Sequence, residues 1–223
     1  ITSPAATNTL DEGQPITISA SLSGGTEPYT YEFIVSNEIN PSNIIAEFTE
    51  SGVSSTTNSI VWTTNAIGTF VANVIVTDSA STHETTNSVY SANIVVNPAL
   101  SFTSLTASNT LIDQGQTQVI TATISGGTSP YTYNFIVYNS IGFVTNALYT
   151  DVSGTSNTFT FTQNSAWGTG PFTVNAFVTD SANVPVTVSS TVVYGANTML
   201  GTPSITSPAA TNTLDEGQPI TIS

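Results

Sequence analysis

The chain has 223 residues and neither lysine nor arginine; 14 Asp and Glu stand against one His, for a formal charge of -14. Charged residues make up 6% of the chain, where an ordinary globular domain carries about 25%. This excludes a phosphate-loop lysine, a Schiff base, a Lys–Asn cross-link and any cationic surface for nucleic acid or anionic lipid. With no Cys, disulfides and thiolate chemistry are excluded too.

Residues 1–19, ITSPAATNTLDEGQPITIS, recur unchanged at 205–223, an offset of 204. The chain reads as one full period plus the opening of the next, a slice of a longer tandem array. The N-terminal residues lack the charged and apolar regions of a signal peptide. Within the period lies a diverged repeat at an offset of 102. SGGTEPYTYEFIVSN at 23–37 matches SGGTSPYTYNFIVYN at 125–139, and FVANVIVTDSA at 70–80 matches FTVNAFVTDSA at 172–182. This predicts unit A over 1–98, unit B over 99–204, and the first strands of the next unit A over 205–223.

Unit A opens with Ile16, Ile18, Ala20 and Leu22 alternating with polar residues, a strand with one buried face. Tyr29, Tyr31, Phe33 and Val35 alternate next, followed by Ile60 and Trp62, and then by Phe70, Ala72, Val74 and Val76. Tyr90, Ala92, Ile94 and Val96 predict one last strand. Unit B repeats the series with Ile120–Ile124, Tyr131–Val137, Phe159–Phe161 and Phe172–Val178. Ser-Gly-Gly-Thr and Asp-Glu-Gly-Gln or Asp-Gln-Gly-Gln supply the turns. Six or seven strands in about 100 residues predict an all-β chain of tandem Ig-like, Greek-key β-sandwiches. No apolar run reaches the ~18 residues of a membrane span, so no membrane insertion is expected in this segment.

The SGG-T-x-PYTY-x-F motif, with VTDSA about 40 residues later, resembles the Ig-like and PKD-type repeats of giant archaeal cell-surface proteins. The resemblance covers nearly the whole chain. It implies a central aromatic at Phe33 and Phe135, and extracellular display, adhesion or a structural stalk without catalysis. The tyrosine-corner positions of that family hold Phe70 and Phe172 here, so the corner hydroxyl is missing.

The short junctions Asn97–Leu100 and Gly201–Ser204 each contain a proline, which stops the preceding ladder and stiffens the link. Ile1, Pro4, Leu10 and Pro98, and Pro203, Ile205, Pro208 and Leu214 at the second seam, are the candidate self-assembly and junction residues. Residues 205–223 are expected to repeat the conformation of 1–19, or to complete a neighbouring chain by strand donation.

No catalytic, cofactor or metal residue is assigned. Asp11 with Asp113, and Asp78 with Asp180, recur in both units, which favours turn chemistry. Calcium held by Asp11, Glu12, Asp78 and carbonyls is the competing reading, and no D-x-D-x-D loop supports it. Glu32, Glu38, Glu47 and Glu50 form an acidic cluster in unit A. It reads as a solvated face rather than a glycosidase pair, because no cleft or sugar-holding cation accompanies it. His83 has no counterpart in unit B and reads as a loop residue. No Asn-x-Ser/Thr sequon occurs with x other than Pro, which argues against N-glycans and leaves O-glycans on the Thr-rich strands open. Val71, Asn73 and Ile75, and Val89 and Val95, put apolar residues on second strand faces, which suits lateral packing as well as simple strand propensity.

Together these features predict a structural segment of an extracellular, cell-surface filament whose partners are neighbouring copies of the same repeat. The alternative is an adhesin binding a glycan or protein through the acidic face of unit A. With no ion pairs to break, acid is expected to cost the fold little.

Overall fold

The computed structural model describes residues 1–204 together with 216, 217 and 219. Ile205, Pro208 and Leu214, and the expected next unit over 205–223, lie outside the described residues apart from those three positions.

Unit A is built from β1 (Asn8–Asp11), β2 (Pro15–Ser21), β3 (Tyr29–Asn37), β4 (Ile44–Val53), β5 (Thr57–Thr63), β6 (Gly68–Thr77), β7 (Thr85–Asn87) and β8 (Ile94–Asn97). One sheet runs β1-β8-β6-β3-β4, with β7 also on β6, and faces a β2-β5 pair. Unit B follows with β9 (Ser101–Ala107), β10 (Leu111–Asp113), β11 (Thr117–Ser125), β12 (Tyr131–Tyr138), β13 (Phe143–Val152), β14 (Ser156–Thr162), β15 (Gly170–Thr179) and β16 (Thr187–Asn197). Its sheets run β10-β16-β15-β12-β13 and β14-β11-β9. In both units a short early strand lies parallel to the last, β1 on β8 and β10 on β16.

Each sandwich buries most of the period-2 set read from the sequence, with Leu22, Ala92 and Phe161 only partly buried and Tyr90 exposed. Tyr31, Phe33, Tyr133 and Phe135 are fully buried, and Tyr31 stacks on Phe33 as Tyr133 does on Phe135. Burying a ring of this size is the largest apolar contribution a side chain makes to such a core. The tyrosine oxygens still need partners in a dry core. Tyr31 OH donates to Ser55 O at 2.9 Å, and Tyr29 and Tyr131 donate to the Gly24 and Gly126 carbonyls. The tyrosines of the PYTY run therefore pin the turns on either side of them. Phe70 and Phe172 take the corner positions as packing residues, against Trp62 and Tyr194.

The end of unit A departs from the expected single strand. β7 stops at Asn87 and β8 starts only at Ile94. Between them, Ser88 Oγ accepts the Val74 N–H at 2.9 Å and Ser91 Oγ accepts the Ala72 N–H at 3.0 Å. Serine hydroxyls can satisfy backbone groups in place of a ladder. Here they divert the chain, and Val89 and Tyr90 stand exposed. Unit B has no such break, and β16 pairs along the whole of β15. Val71 and Asn73, expected on an outward face, are buried within unit A, where Asn73 Nδ2 donates to Asn87 Oδ1 at 3.0 Å. They are closed off from lateral packing.

Candidate functional site

Two separate cores flank the A–B junction, one ending at Val96 and the next beginning at Leu100. Only three residues link the end of β8 to β9, so the units abut. Leu100 is 6% exposed and lies in the core of unit B. It sits against the Gly126-Gly127 turn, whose second glycine donates its N–H to Pro98 O at 2.7 Å. Both glycines have φ near +70°, and a Cβ on Gly126 would collide with Ala99 O. A Cβ on Gly127 would lie 2.8 Å from Leu100 Cδ1. The Gly-Gly of the repeated motif thus serves the approach of the linker as well as the turn.

The polar half of the junction is buried. Asp11, 1% exposed at the end of β1, accepts the Thr128 hydroxyl at 3.0 Å. Asn97 Nδ2 donates to the same hydroxyl oxygen at 2.9 Å. Asp180, also buried, accepts the Thr128 N–H at 3.2 Å and the Val186 N–H at 2.8 Å. Asp11 Oδ2 has no donor partner and faces the Asp180 carboxylate. Burial, and then Asp180, push the Asp11 carboxyl up to about 7. The proton that Asp11 holds supplies the donor that two facing carboxylates otherwise lack. Further out, Asn183 N–H donates to Thr9 O at 2.9 Å and Gln14 Nε2 to Val184 O at 2.7 Å, both from unit to unit.

The predicted site residues are distributed as follows. Pro98 lies in the junction through its carbonyl. Leu10 is in the core of unit A, and Ile1 packs at the edge of that core. Pro4 is buried and Pro203 exposed. The residues that carry the junction, Asp11, Thr128, Asp180, Asn183 and Gln14, were not in that set. The recurring Asp-x-Gly-Gln signal could have found Gln14, whose side-chain oxygen accepts the Asp11 N–H, as Gln116 accepts that of Asp113. Turn chemistry holds for Asp78, whose carboxylate accepts the Thr26, Ala80 and Glu84 N–H groups and is held below the usual range by those bonds. It does not hold for Asp11, where glutamine does the turn bonding and frees the carboxylate for unit B.

Calcium by Asp11, Glu12 and Asp78 is not supported by the geometry. Asp78 follows the far end of β6 from the junction, and among the described residues no group of three or more acidic or His side chains gathers. Glu32 lies beside Glu47, and partial burial followed by that neighbour raises its carboxyl. Glu50 accepts Asn58 Nδ2 at 2.7 Å. These three lie on strands β3 and β4, away from the cleft described below, whose only acidic lining is Asp78 and Glu84. Exposed His83 places Nδ1 2.9 Å from Asp78 O, in a loop.

No family model matches the chain, and no curated protein matches it. Solved structures do. A marsupial T cell receptor matches at 12% identity and a TM-score of 0.60, over 93% of this chain and 76% of that one. The chain has an immunoglobulin-like β-sandwich fold. A titin I-band fragment matches at 12% identity and a TM-score of 0.50, over 86% of this chain and 63% of the fragment. A Ca2+-stabilised, ice-binding adhesin of an Antarctic bacterium is similar at 15% identity and a TM-score of 0.44, over 89% of this chain and 50% of that one.

Proposed function

We propose that this chain is a structural repeat segment of an extracellular surface filament or stalk, assembled from tandem Ig-like units whose partners are copies of the same repeat. One observation carries the reading. The A–B junction is built as a buried interface, with Leu100 and Asp11 both withdrawn from water, and the sequence then restarts unchanged at Ile205. A flexible string of beads would need no buried carboxylate between its beads. The family resemblance adds an archaeal cell surface as the setting, and the surface of neutral Ser, Thr and Asn suits it, with O-glycans on the Thr-rich strands. The reading includes no enzymatic role. Cryo-electron microscopy of fibres from the native cell surface tests it. The expected result is a helical reconstruction in which units alternate A-B-A-B. Recovery of the protein only as dispersed intracellular monomers overturns it.

A second reading rests on Glu32 and Glu47, adjacent carboxylates in a chain with no cationic side chain but His83 to offset them. Such a face would gain from a cationic or hydroxyl-rich partner, as in an adhesin. Glu32→Gln, Glu47→Gln and Glu50→Gln together should then abolish surface attachment and leave filaments intact; loss of filaments would assign the face to assembly.

A further inference from the structure

Unit A carries an open cleft of about 340 Å³, lined by Leu22, the Gly24-Gly25 turn, Tyr29, Val76 and Asp78. Each lining residue has its counterpart 102 positions on: Ile124, Gly126-Gly127, Tyr131, Val178 and Asp180. In unit B that place is filled by Leu100 and its linker. The glycines record the difference. Gly126 and Gly127 are crowded by Ala99 and Leu100, whereas Gly24, at φ +79°, has no atom of another residue within 4 Å of a Cβ. Unit A thus keeps the two glycines that admit a linker in unit B.

The counterpart of Leu100 is at the other end of the molecule. Asn197-Thr198-Met199-Leu200 follows the last strand of unit B as Asn97-Pro98-Ala99-Leu100 follows that of unit A. Leu100 is 6% exposed and Leu200 is 89% exposed. The polar parts are duplicated as well. Asp78 accepts the Thr26 N–H at 3.0 Å, as Asp180 accepts that of Thr128, and both carboxylates close the same loop through Glu84 or Val186. Asp113 is held by Gln116 as Asp11 is held by Gln14. Beside Asp113, in the place of Thr9, stands Leu111, 60% exposed. The polar groups and the leucine of the A–B junction therefore recur, one half on the far end of unit B and the other on the far end of unit A.

We propose that the cleft of unit A is the seat for Leu200 of a second copy of this repeat, docked end to end. In this seam Asp113 meets Thr26, and Gln116 and Leu111 meet the Ser81-Thr82 loop. This rests on the filament reading and gives it a surface. The contact is heterologous: the two faces differ, so each copy offers one of each. An interface of that kind propagates instead of closing into a dimer.

The chain has no Cys, so an introduced pair is unambiguous. Ser81→Cys with Leu111→Cys, both exposed positions, is treated with a flexible bis-maleimide in the full chain, and Thr9→Cys with Asn183→Cys sets the yield of the within-chain junction. The expected result is a ladder of trimers and larger species from the double variant, where each single variant gives dimers at most. Adding Leu200→Asp should cut the ladder about tenfold, a modest change in contact affinity. A ladder untouched by Leu200→Asp overturns the seat. Association seen by sedimentation without a ladder overturns the seam and leaves the filament reading standing. A chain that stays monomeric at every concentration overturns both.

Discussion

Units A and B share their turns, their aromatic core and a short early strand parallel to the last, yet they end differently. Unit B finishes with an unbroken eleven-residue strand and has a linker leucine seated in its sandwich. Unit A breaks its final strand at two serines and carries an open cleft lined by the counterparts of the residues around that leucine. In unit B the motif is closed over by the linker residues Pro98, Ala99 and Leu100. The turn and core are properties of the unit, and the closure is a property of the array.

Four changes test that contrast. The largest effect is expected at Leu100, since emptying a buried leucine site costs about 3 kcal/mol; Leu200→Ala should leave monomer stability within about 0.5 kcal/mol. Calorimetry on the two variants reads both. Gly126→Ala should cost roughly 2–3 kcal/mol through its collision with Ala99, against about 1–2 kcal/mol for Gly24→Ala, which meets only left-handed backbone strain. Equal effects would mean that the linker does not press on the turn.

The third test is pH. Asp11 binds its proton more tightly folded than unfolded, so its contribution is full below the ordinary carboxylate value of 3.8 and is lost as pH rises toward about 7. Asp78 has the opposite sign, and its contribution is lost as pH falls below the same value. The A–B junction should therefore be tighter at pH 4 than at pH 8. Asp11→Asn should flatten the upper slope in denaturant titrations, and an unchanged slope would remove Asp11 as its cause. The smallest effects belong to Ser88→Ala and Ser91→Ala, each losing one hydroxyl bond to β6 for about 1 kcal/mol. Urea denaturation should resolve them in unit A. Unit B uses backbone bonds at the matching places.

Strand alternation was legible wherever one face is apolar and the other polar, as in Tyr29-Thr30-Tyr31-Glu32-Phe33. It misled over Tyr90–Val96, because a period-2 pattern does not show that Ser88 and Ser91 spend their hydroxyls on β6. The junction was legible as a short proline-containing link. Its chemistry was not, since Asp11 meets Thr128 and Asp180 across more than a hundred residues, and no local pattern announces such a meeting. The repeat itself held the missing clue. An Asp recurring in both units suggested a turn, but a recurring Gln three places later already met that need and left the carboxylate for another task.

The parallel pairing of a short early strand with the last has a mechanical consequence. In unit A the chain enters through β1 and leaves through β8, side by side and pointing the same way. A pull on the two ends drags these neighbours in opposite directions along their shared axis. Their hydrogen bonds then bear the load together instead of opening one after another; in unit B the parallel pair is β10 on β16, reached after β9 has run along β11 in the other sheet. Single-molecule stretching should find each unit giving way abruptly at high force.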